Sequence, residues 1–172
     1  LAQMSAQKIE IPLVIDGKDV RAGTFGHAVM PHRHAHVLAD FHQGGEEEVQ
    51  MAIRAALRAQ KDWAALPWEA RASVFLKAAD LLQGPYRDVI NAATMLGQSK
   101  TCHQAEIDSA CEMIDLFRFN VAFYEQVMRE QPQSSPGMGN RLEQRPLGGL
   151  VFTVAPYHLN SVRAKLAAAR RL

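Results

Sequence analysis

Apolar side chains recur every three or four residues from Ile107 to Met128, and this stripe constrains the fold more than any other sequence feature. Such spacing puts them on one side of an α-helix, where a second element must cover them. Glycine and proline separate the preceding helical patterns, as is typical of helix ends. The sequence therefore predicts a layer of four helices, over residues 46–65, 67–83, 86–96 and 101–130.

Extended segments flank the helical layer. Before it, alternating Ile11, Leu13 and Ile15 are followed by Asp16-Gly17, a pair that favours a tight β-hairpin turn. After it, residues 141–145 and 150–155 predict two strands, the second apolar enough to be covered on both faces. A helix-permissive stretch ends the chain, so a first β-then-α step would follow. The predicted fold is α/β, with the hairpin and extended segment at 1–45, helices at 46–130, and strands leading into the first βα unit at 131–172.

The composition is that of a soluble globular chain. It has 172 residues, of which 48% are apolar and 22% charged, enough for one ordinary domain. We see no signal peptide and no run that could span a bilayer, and two cysteines favour a reducing compartment. Five basic residues and no acidic ones follow Glu143. Four of these lie in the last ten residues without interleaved aromatic residues, which is weak evidence for nucleic-acid binding.

Alternating histidines offer one candidate site. His32, His34 and His36 would project from the same face of a strand. They could hold a metal ion through imidazole nitrogens, or form an exposed polar face beside an edge strand. Because no cysteine or carboxylate is spaced to complete a site, we assign no metal.

The two cysteines and a group of carboxylates offer further candidates. Cys102 lies at a helix start beside His103, as a nucleophile could, or it is an ordinary residue there. Cys111 falls on the apolar stripe and is expected to be buried. The carboxylates are typical of a solvated helix face, with Glu106 considered further below: Glu106, Asp108, Glu112 and Asp115. The residues alone therefore do not identify a reaction.

Four segments resemble the N-terminal part of the aldehyde dehydrogenases, most closely the branch that oxidises glutamate γ-semialdehyde (the Δ1-pyrroline-5-carboxylate dehydrogenases). They cover nearly the whole chain in a consistent order. The block at 93–120 is specific to this branch. The segments are VIDGKDV (14–20), FLKAADLLQGPYR (75–87), ATMLGQSKTCHQAEIDSACEMIDLFRFN (93–120) and EQPQSSPGMGNRLEQRPLGGLVFTVAPYHL (130–159).

The resemblance implies a chemistry and a cofactor. In the family, a cysteine thiolate adds to the aldehyde, hydride passes to NAD, and a glutamate base helps to hydrolyse the thioester. Neither Cys102 nor Cys111 corresponds to that nucleophile, and the segments that hold the nucleophile and the base are not represented. The implied partners are a small-molecule aldehyde and further copies of the chain, with neither nucleic acid nor membrane.

The resemblance also implies site residues. The family has a Pro-aromatic-Asn turn whose asparagine helps to bind the reaction's oxyanion, and whose backbone contacts the nicotinamide end of NAD. Here Ala155, Pro156 and Tyr157 fit the cofactor positions, whereas His158 occupies the asparagine position. A neutral imidazole donates only one hydrogen bond. Glu106 matches a family carboxylate near the active-site entrance and is our substrate-side candidate.

We therefore expect a truncated N-terminal portion of such an enzyme, inactive by itself, in the cytoplasm or, in a eukaryote, the mitochondrial matrix. The alternative is a non-catalytic interaction or oligomerisation module derived from an aldehyde dehydrogenase.

Overall fold

A β-hairpin layer and a helical layer make up residues 1–152, the part of the chain that our computed structural model describes. The elements follow one another in the order α1 (Ala2–Ser5), β1 (Ile9–Ile11), β2 (Leu13–Ile15), β3 (Lys18–Val20), β4 (Thr24–Met30), β5 (Arg33–Gln43), α2 (Glu46–Ala65), α3 (Trp68–Gln83), α4 (Arg87–Gln98), α5 (Cys102–Ala105), a π-helix (Glu106–Cys111) and α6 (Glu112–Arg129).

The strands form two small sheets. In the larger one, β5 is central, with β1 parallel on one side and β4 antiparallel on the other. The other sheet is the predicted hairpin of β2 and β3. Its turn residues, Asp16 and Gly17, have φ of 55° and 70°, the positive values that a two-residue hairpin turn needs. Gly26 of β4 faces the ring of Phe41, and a side chain at that position would collide with it.

The four predicted helices are present, with their ends within a few residues of the expected ones. Glutamates occupy the first turn of α2, where the helix dipole favours negative charge, and Glu48 accepts a 2.8 Å hydrogen bond from the Gly45 N–H. Thr101 and Gln104 cap the start of α5 reciprocally. Within residues 1–152, no helix is both long and apolar enough to cross a bilayer.

The longest helix departs from its predicted stripe at its beginning. Residues Glu106–Cys111 form a π-helix, whose wider turn shifts the side chains that follow. Within it, Ile107 is 48% exposed and Cys111 only partly buried, contrary to the prediction, whereas Ile114 is buried as expected. The residues that face the core in this stretch are small: Ala105, Ser109 and Ala110.

The predicted strand at 141–145 was wrong. These residues are irregular and exposed, and no strand within residues 1–152 pairs with them. The Gln131 side chain instead bonds the Leu142 N–H at 3.0 Å and the Leu142 carbonyl oxygen at 3.3 Å. Gln60 of α2 donates a 3.0 Å hydrogen bond to the Leu147 carbonyl oxygen, which ties this segment to the helical layer. Leu150 to Phe152 are not in a strand either, and the rest of the predicted 150–155 strand lies outside the described residues.

The core of the helical layer lies where α3, α4, the π-helix and α6 meet. Its buried residues are Ala79, Leu82, Ile90, Ala110, Met113 and Ile114. Beside it, Thr94 of α4 and Ser109 of the π-helix are fully buried, and their hydroxyl oxygens lie 2.7 Å apart. Each hydroxyl thus satisfies the other in a place that excludes water.

We expect Thr94→Val to lower the free energy of unfolding by about 1–3 kcal/mol, because it leaves the Ser109 hydroxyl buried without a partner. The double variant Thr94→Val/Ser109→Ala is expected to cost less than the sum of the two single changes. Urea unfolding followed by circular dichroism measures all three.

The control is Ser73→Ala, since the exposed Ser73 hydroxyl bonds only the Ala70 carbonyl oxygen of the same helix. It should change stability by less than about 0.5 kcal/mol. Strict additivity of Thr94→Val and Ser109→Ala would contradict a shared hydrogen bond.

Candidate functional site

Glu106 lies at the first position of the π-helix, with its side chain 35% exposed. The Arg87 guanidinium donates to one carboxylate oxygen, Oε1, through Nη2 and through Nε at 2.9 Å. The Asn91 amide donates to the other oxygen, Oε2, at 2.5 Å. Three donors from α4 thus hold one carboxylate in place at a partly open surface.

The local sequence explains this arrangement. Arg87 and Asn91 are four residues apart on α4, so their side chains lie on the same helix face. The buried Thr94–Ser109 contact holds that helix against the π-helix. The π-helix turn also brings the Cys111 thiol, five residues after Glu106, to 3.7 Å from Oε1 and 3.5 Å from Arg87 Nη2. The residues at 87, 91, 106 and 111 therefore form one cluster, which we call the Glu106 cluster.

Electrostatics keep this carboxylate ionised. The hydrogen bond from Arg87 lowers the pKa of Glu106, the bond from Asn91 lowers it further, and partial burial opposes both. The same carboxylate raises the pKa of Arg87. At neutral pH the cluster thus presents a fixed carboxylate whose orientation does not depend on a substrate.

The structure separates the other acidic candidates from Glu106. Asp108 pairs with Lys100 at 2.5 Å. Glu112 and Asp115 are in the first turn of α6 and have no ion pair among the described contacts. Glu106 is the carboxylate that Arg87 and Asn91 of α4 both bind.

The histidines are not arranged as predicted. His32 lies in the turn before β5 and contacts the Ser99 hydroxyl at 2.6 Å, whereas His36 bonds the Ser5 carbonyl oxygen at 2.8 Å. His34 lies on β5 and is exposed. Within residues 1–152, no three histidine, cysteine or acidic side chains are grouped to hold a metal ion.

The two cysteines differ in exposure and in the residues around them. Cys102 is exposed at the start of α5, and Cys111 belongs to the Glu106 cluster. Both are free thiols. The candidates Ala155, Pro156, Tyr157 and His158 lie outside the described residues.

The junction between β5 and α2 is not suited to bind a dinucleotide phosphate. This junction, Gly44-Gly45, is the one strand-to-helix junction in the described part of the chain. Three glutamates occupy the first turn of that helix, so their charges would repel a pyrophosphate.

Sequence reasoning found Glu106 but missed Arg87 and Asn91, whose hydrogen bonds lower its pKa. The sequence feature that could have identified them is their four-residue spacing, which puts two polar side chains on the same face of a predicted helix. His42 was also missed: it is buried, and its ring nitrogens contact the Ala22 carbonyl oxygen at 2.6 Å and the Glu10 carboxylate at 3.1 Å. His42, followed by Arg21, lowers the pKa of Glu10.

The model of the aldehyde dehydrogenase family matches residues 21–169. Among curated proteins, the delta-1-pyrroline-5-carboxylate dehydrogenase of Agaricus bisporus is 45% identical over 168 residues, which are 96% of this chain and 31% of that protein. The mitochondrial enzyme of that name from Mus musculus is 41% identical and aligns with all of this chain. The chain spans about a third of the length of the curated relatives it matches.

Comparison with solved structures leads to the same family. The delta-pyrroline-5-carboxylate dehydrogenase from Mycobacterium tuberculosis superposes with a TM-score of 0.90 at 48% identity, covering 94% of this chain and 30% of that one. A second structure of that enzyme, bound with NAD, gives the same TM-score at 47% identity, covering 98% of this chain and 32% of that one. The predicted α/β fold class, as the N-terminal portion of this family's fold, is confirmed.

The lowered pKa of Glu106 gives a prediction about stability. A carboxyl whose pKa is lower in the folded state stabilises that state above its ordinary pKa, near 4.5, and this contribution is lost as the pH falls through the lowered value. Glu106→Gln should therefore destabilise the chain at pH 7, and progressively less as the pH falls below 4.5. Arg87→Gln should raise the pKa of Glu106, which ¹³C NMR titration of the carboxyl measures.

The exposed Glu130, at the end of α6, provides the matched control. Glu130→Gln should leave the free energy of unfolding at pH 7 unchanged within about 0.5 kcal/mol. A Glu106 titration that is the same with and without Arg87→Gln would refute the assigned role of the guanidinium.

Proposed function

The chain belongs to the aldehyde dehydrogenase family, and we propose that it serves the NAD-dependent oxidation of L-glutamate γ-semialdehyde to glutamate in proline catabolism. The names of its relatives support this reaction. Because the chain spans about a third of those relatives, the proposal concerns what this third contributes. The observation that carries it is the fixed, ionised carboxylate of Glu106.

The proposed substrate has a charge that suits this carboxylate. L-Glutamate γ-semialdehyde carries an α-ammonium group at the end away from the aldehyde. Glu106 is ionised and partly exposed, and its oxygens have further acceptor capacity beyond the bonds from Arg87 and Asn91. We assign it to accept a charge-assisted hydrogen bond from the ammonium, with Arg87 and Asn91 as positioning residues.

In this proposal the reaction centre is supplied by other residues of the enzyme. Family resemblance assigns the nucleophile to neither cysteine of this chain. Cys111 is engaged in the Glu106 cluster, and Cys102 is exposed at the start of a helix. We therefore propose that the 172 residues alone do not oxidise the aldehyde. NAD, as the cofactor, would accept the hydride, and Ala155, Pro156 and Tyr157 are our proposed contacts for its nicotinamide end.

The proposal also covers the cellular location and the oligomeric state of the enzyme. We place the protein in the cytoplasm, or in the mitochondrial matrix of a eukaryote, since several relatives are named mitochondrial. We also propose that the complete enzyme is a homo-oligomer, as the family resemblance implies.

A chimera tests the role of Glu106. In it, this chain replaces the matched third of the Mycobacterium tuberculosis enzyme, to which it is 48% identical. The chimera should form NADH from pyrroline-5-carboxylate, and the 172 residues alone should not. Glu106→Gln in the chimera should raise KM for this substrate about tenfold or more, because the ammonium loses an ionised partner, and should leave KM for NAD unchanged.

Two controls separate recognition from misfolding. Asp115→Asn, on an exposed acid of α6, should leave all constants unchanged. For glutaric semialdehyde, the same aldehyde without the amino group, Glu106→Gln should not raise KM. An equal rise for both aldehydes would show that Glu106 supports the structure and does not contact the ammonium.

His158 gives a second test in the same chimera. We propose that it stands at the oxyanion position, where an asparagine amide suits the family's geometry better than an imidazole. Since one oxyanion donor is worth about 10²–10³ in rate, His158→Asn should raise kcat by up to about that factor. A fall in kcat would mean that the imidazole itself is the required donor.

A non-catalytic interaction module is the second candidate. It is favoured by the outer face of α6, where Leu116, Phe119, Phe123 and Val127 are each about half exposed. Such a contiguous apolar surface is typical of an interface. Co-purification of the chain with an intact relative, abolished by Phe119→Glu/Phe123→Glu, would support this candidate, and a monomer that binds no relative would exclude it.

A further inference from the structure

A cavity of about 470 Å³ opens between the end of α2, α3 and α6. Half of the residues that line it are aromatic: Trp63 of α2, Phe75 of α3, and Phe117 and Tyr124 of α6. The rings of Phe75 and Phe117 contact each other, with centroids 5.8 Å apart. Both its volume and its apolar wall are typical of pockets that hold small molecules.

Arg71 is the one charged side chain among the described residues that line this cavity. Its Nη2 donates a 2.9 Å hydrogen bond to the Tyr124 hydroxyl, while its Nε is shielded from solvent and has no partner. A hydroxyl is neutral, so it does not balance the guanidinium charge. No carboxylate within residues 1–152 forms an ion pair with Arg71. The cavity therefore combines an apolar wall with a positive charge that no carboxylate of the described residues balances.

We infer that this cavity binds a small organic acid with an aromatic or branched apolar body. The carboxylate pairs with the Arg71 guanidinium, which has five N–H donors and uses one of them for Tyr124. The apolar body lies against Phe75 and Phe117. An inorganic anion lacks the body and a neutral aromatic compound lacks the charge, so neither matches both parts of the wall.

The site is independent of the Glu106 cluster. The two share no residue, and Arg87 is occupied by Glu106 whereas Arg71 has no acidic partner in the described part of the chain. The inference therefore does not rest on the proposed dehydrogenase function, and it can be tested on the 172-residue chain without any turnover.

The two tryptophans of the chain report on the cavity. Trp63 lines it, and the Trp68 ring meets the Tyr124 ring edge-on, with centroids 5.6 Å apart. We expect phenylacetate to change the intrinsic fluorescence saturably, with a dissociation constant at least tenfold below that of phenylacetamide, its neutral analogue. Acetate, which has the charge but no aromatic body, should give no saturable change.

Variants test whether the preference for the acid over the amide depends on Arg71. Arg71→Gln should abolish the tenfold preference for the acid, whereas Arg54→Gln, which removes an exposed charge on α2, should retain it. Tyr124→Phe keeps the ring and frees Nη2, so it should also retain the preference. This variant keeps the inference testable if Arg71→Gln fails to give the native circular dichroism spectrum.

Three results would overturn the inference: equal affinity for the acid and the amide, loss of the preference in Tyr124→Phe, or an unchanged preference in a folded Arg71→Gln chain. A fourth result would also overturn it, by showing that the cavity binds a different class of ligand. If small acids leave the spectrum unchanged while an acetylated Phe-Glu-Phe amide peptide changes it saturably, the occupant is a polypeptide segment and not a free acid.

Discussion

The close approach of α4 to the π-helix is the constraint on which the rest of the helical layer depends. Small side chains permit it: Ala105, Ser109 and Ala110 are fully buried where the two elements meet. The Thr94–Ser109 hydrogen bond fixes their separation, and the Arg87–Glu106 ion pair lies further along the same contact. A larger residue at Ser109 or Ala110 would push the elements apart and release the carboxylate, because a packed interior tolerates little added volume.

This contact links packing to chemistry. The pKa of Glu106 is low because Arg87 and Asn91 reach it, and they reach it because a buried contact two turns away aligns α4. Two residues that never touch solvent, Thr94 and Ser109, thus position the donors that lower the pKa of a partly exposed carboxyl. Arg71 shows the opposite case, since it lies among aromatic residues and its guanidinium has no carboxylate partner within residues 1–152.

Sequence reasoning predicted the helices and the first hairpin well because their signals are local. The glycine at position 17 and the glutamates opening α2 act within a few residues. It failed where the outcome depends on a neighbour. The 141–145 segment has strand composition but no strand to pair with in the described part of the chain, and Ile107 fits an α-helical stripe that the π-helix interrupts. Glu106 came from family resemblance, while Arg87 and Asn91 needed the fold to bring two helices together.

The π-helix also has a consequence for how this chain can vary. A π-turn contains one residue more than an α-turn, because its hydrogen bonds run from residue i to residue i+5. Deletion of one residue within Glu106–Cys111 can therefore be absorbed by a return to ordinary α-helical turns, which would leave α6 close to its present orientation but would remove the wide turn that brings Cys111 to Glu106. The same deletion inside α6 would rotate every later side chain by about 100°, because no wide turn is there to absorb it. The π-helix is thus the place in this long helix where a change of length disturbs the packing least.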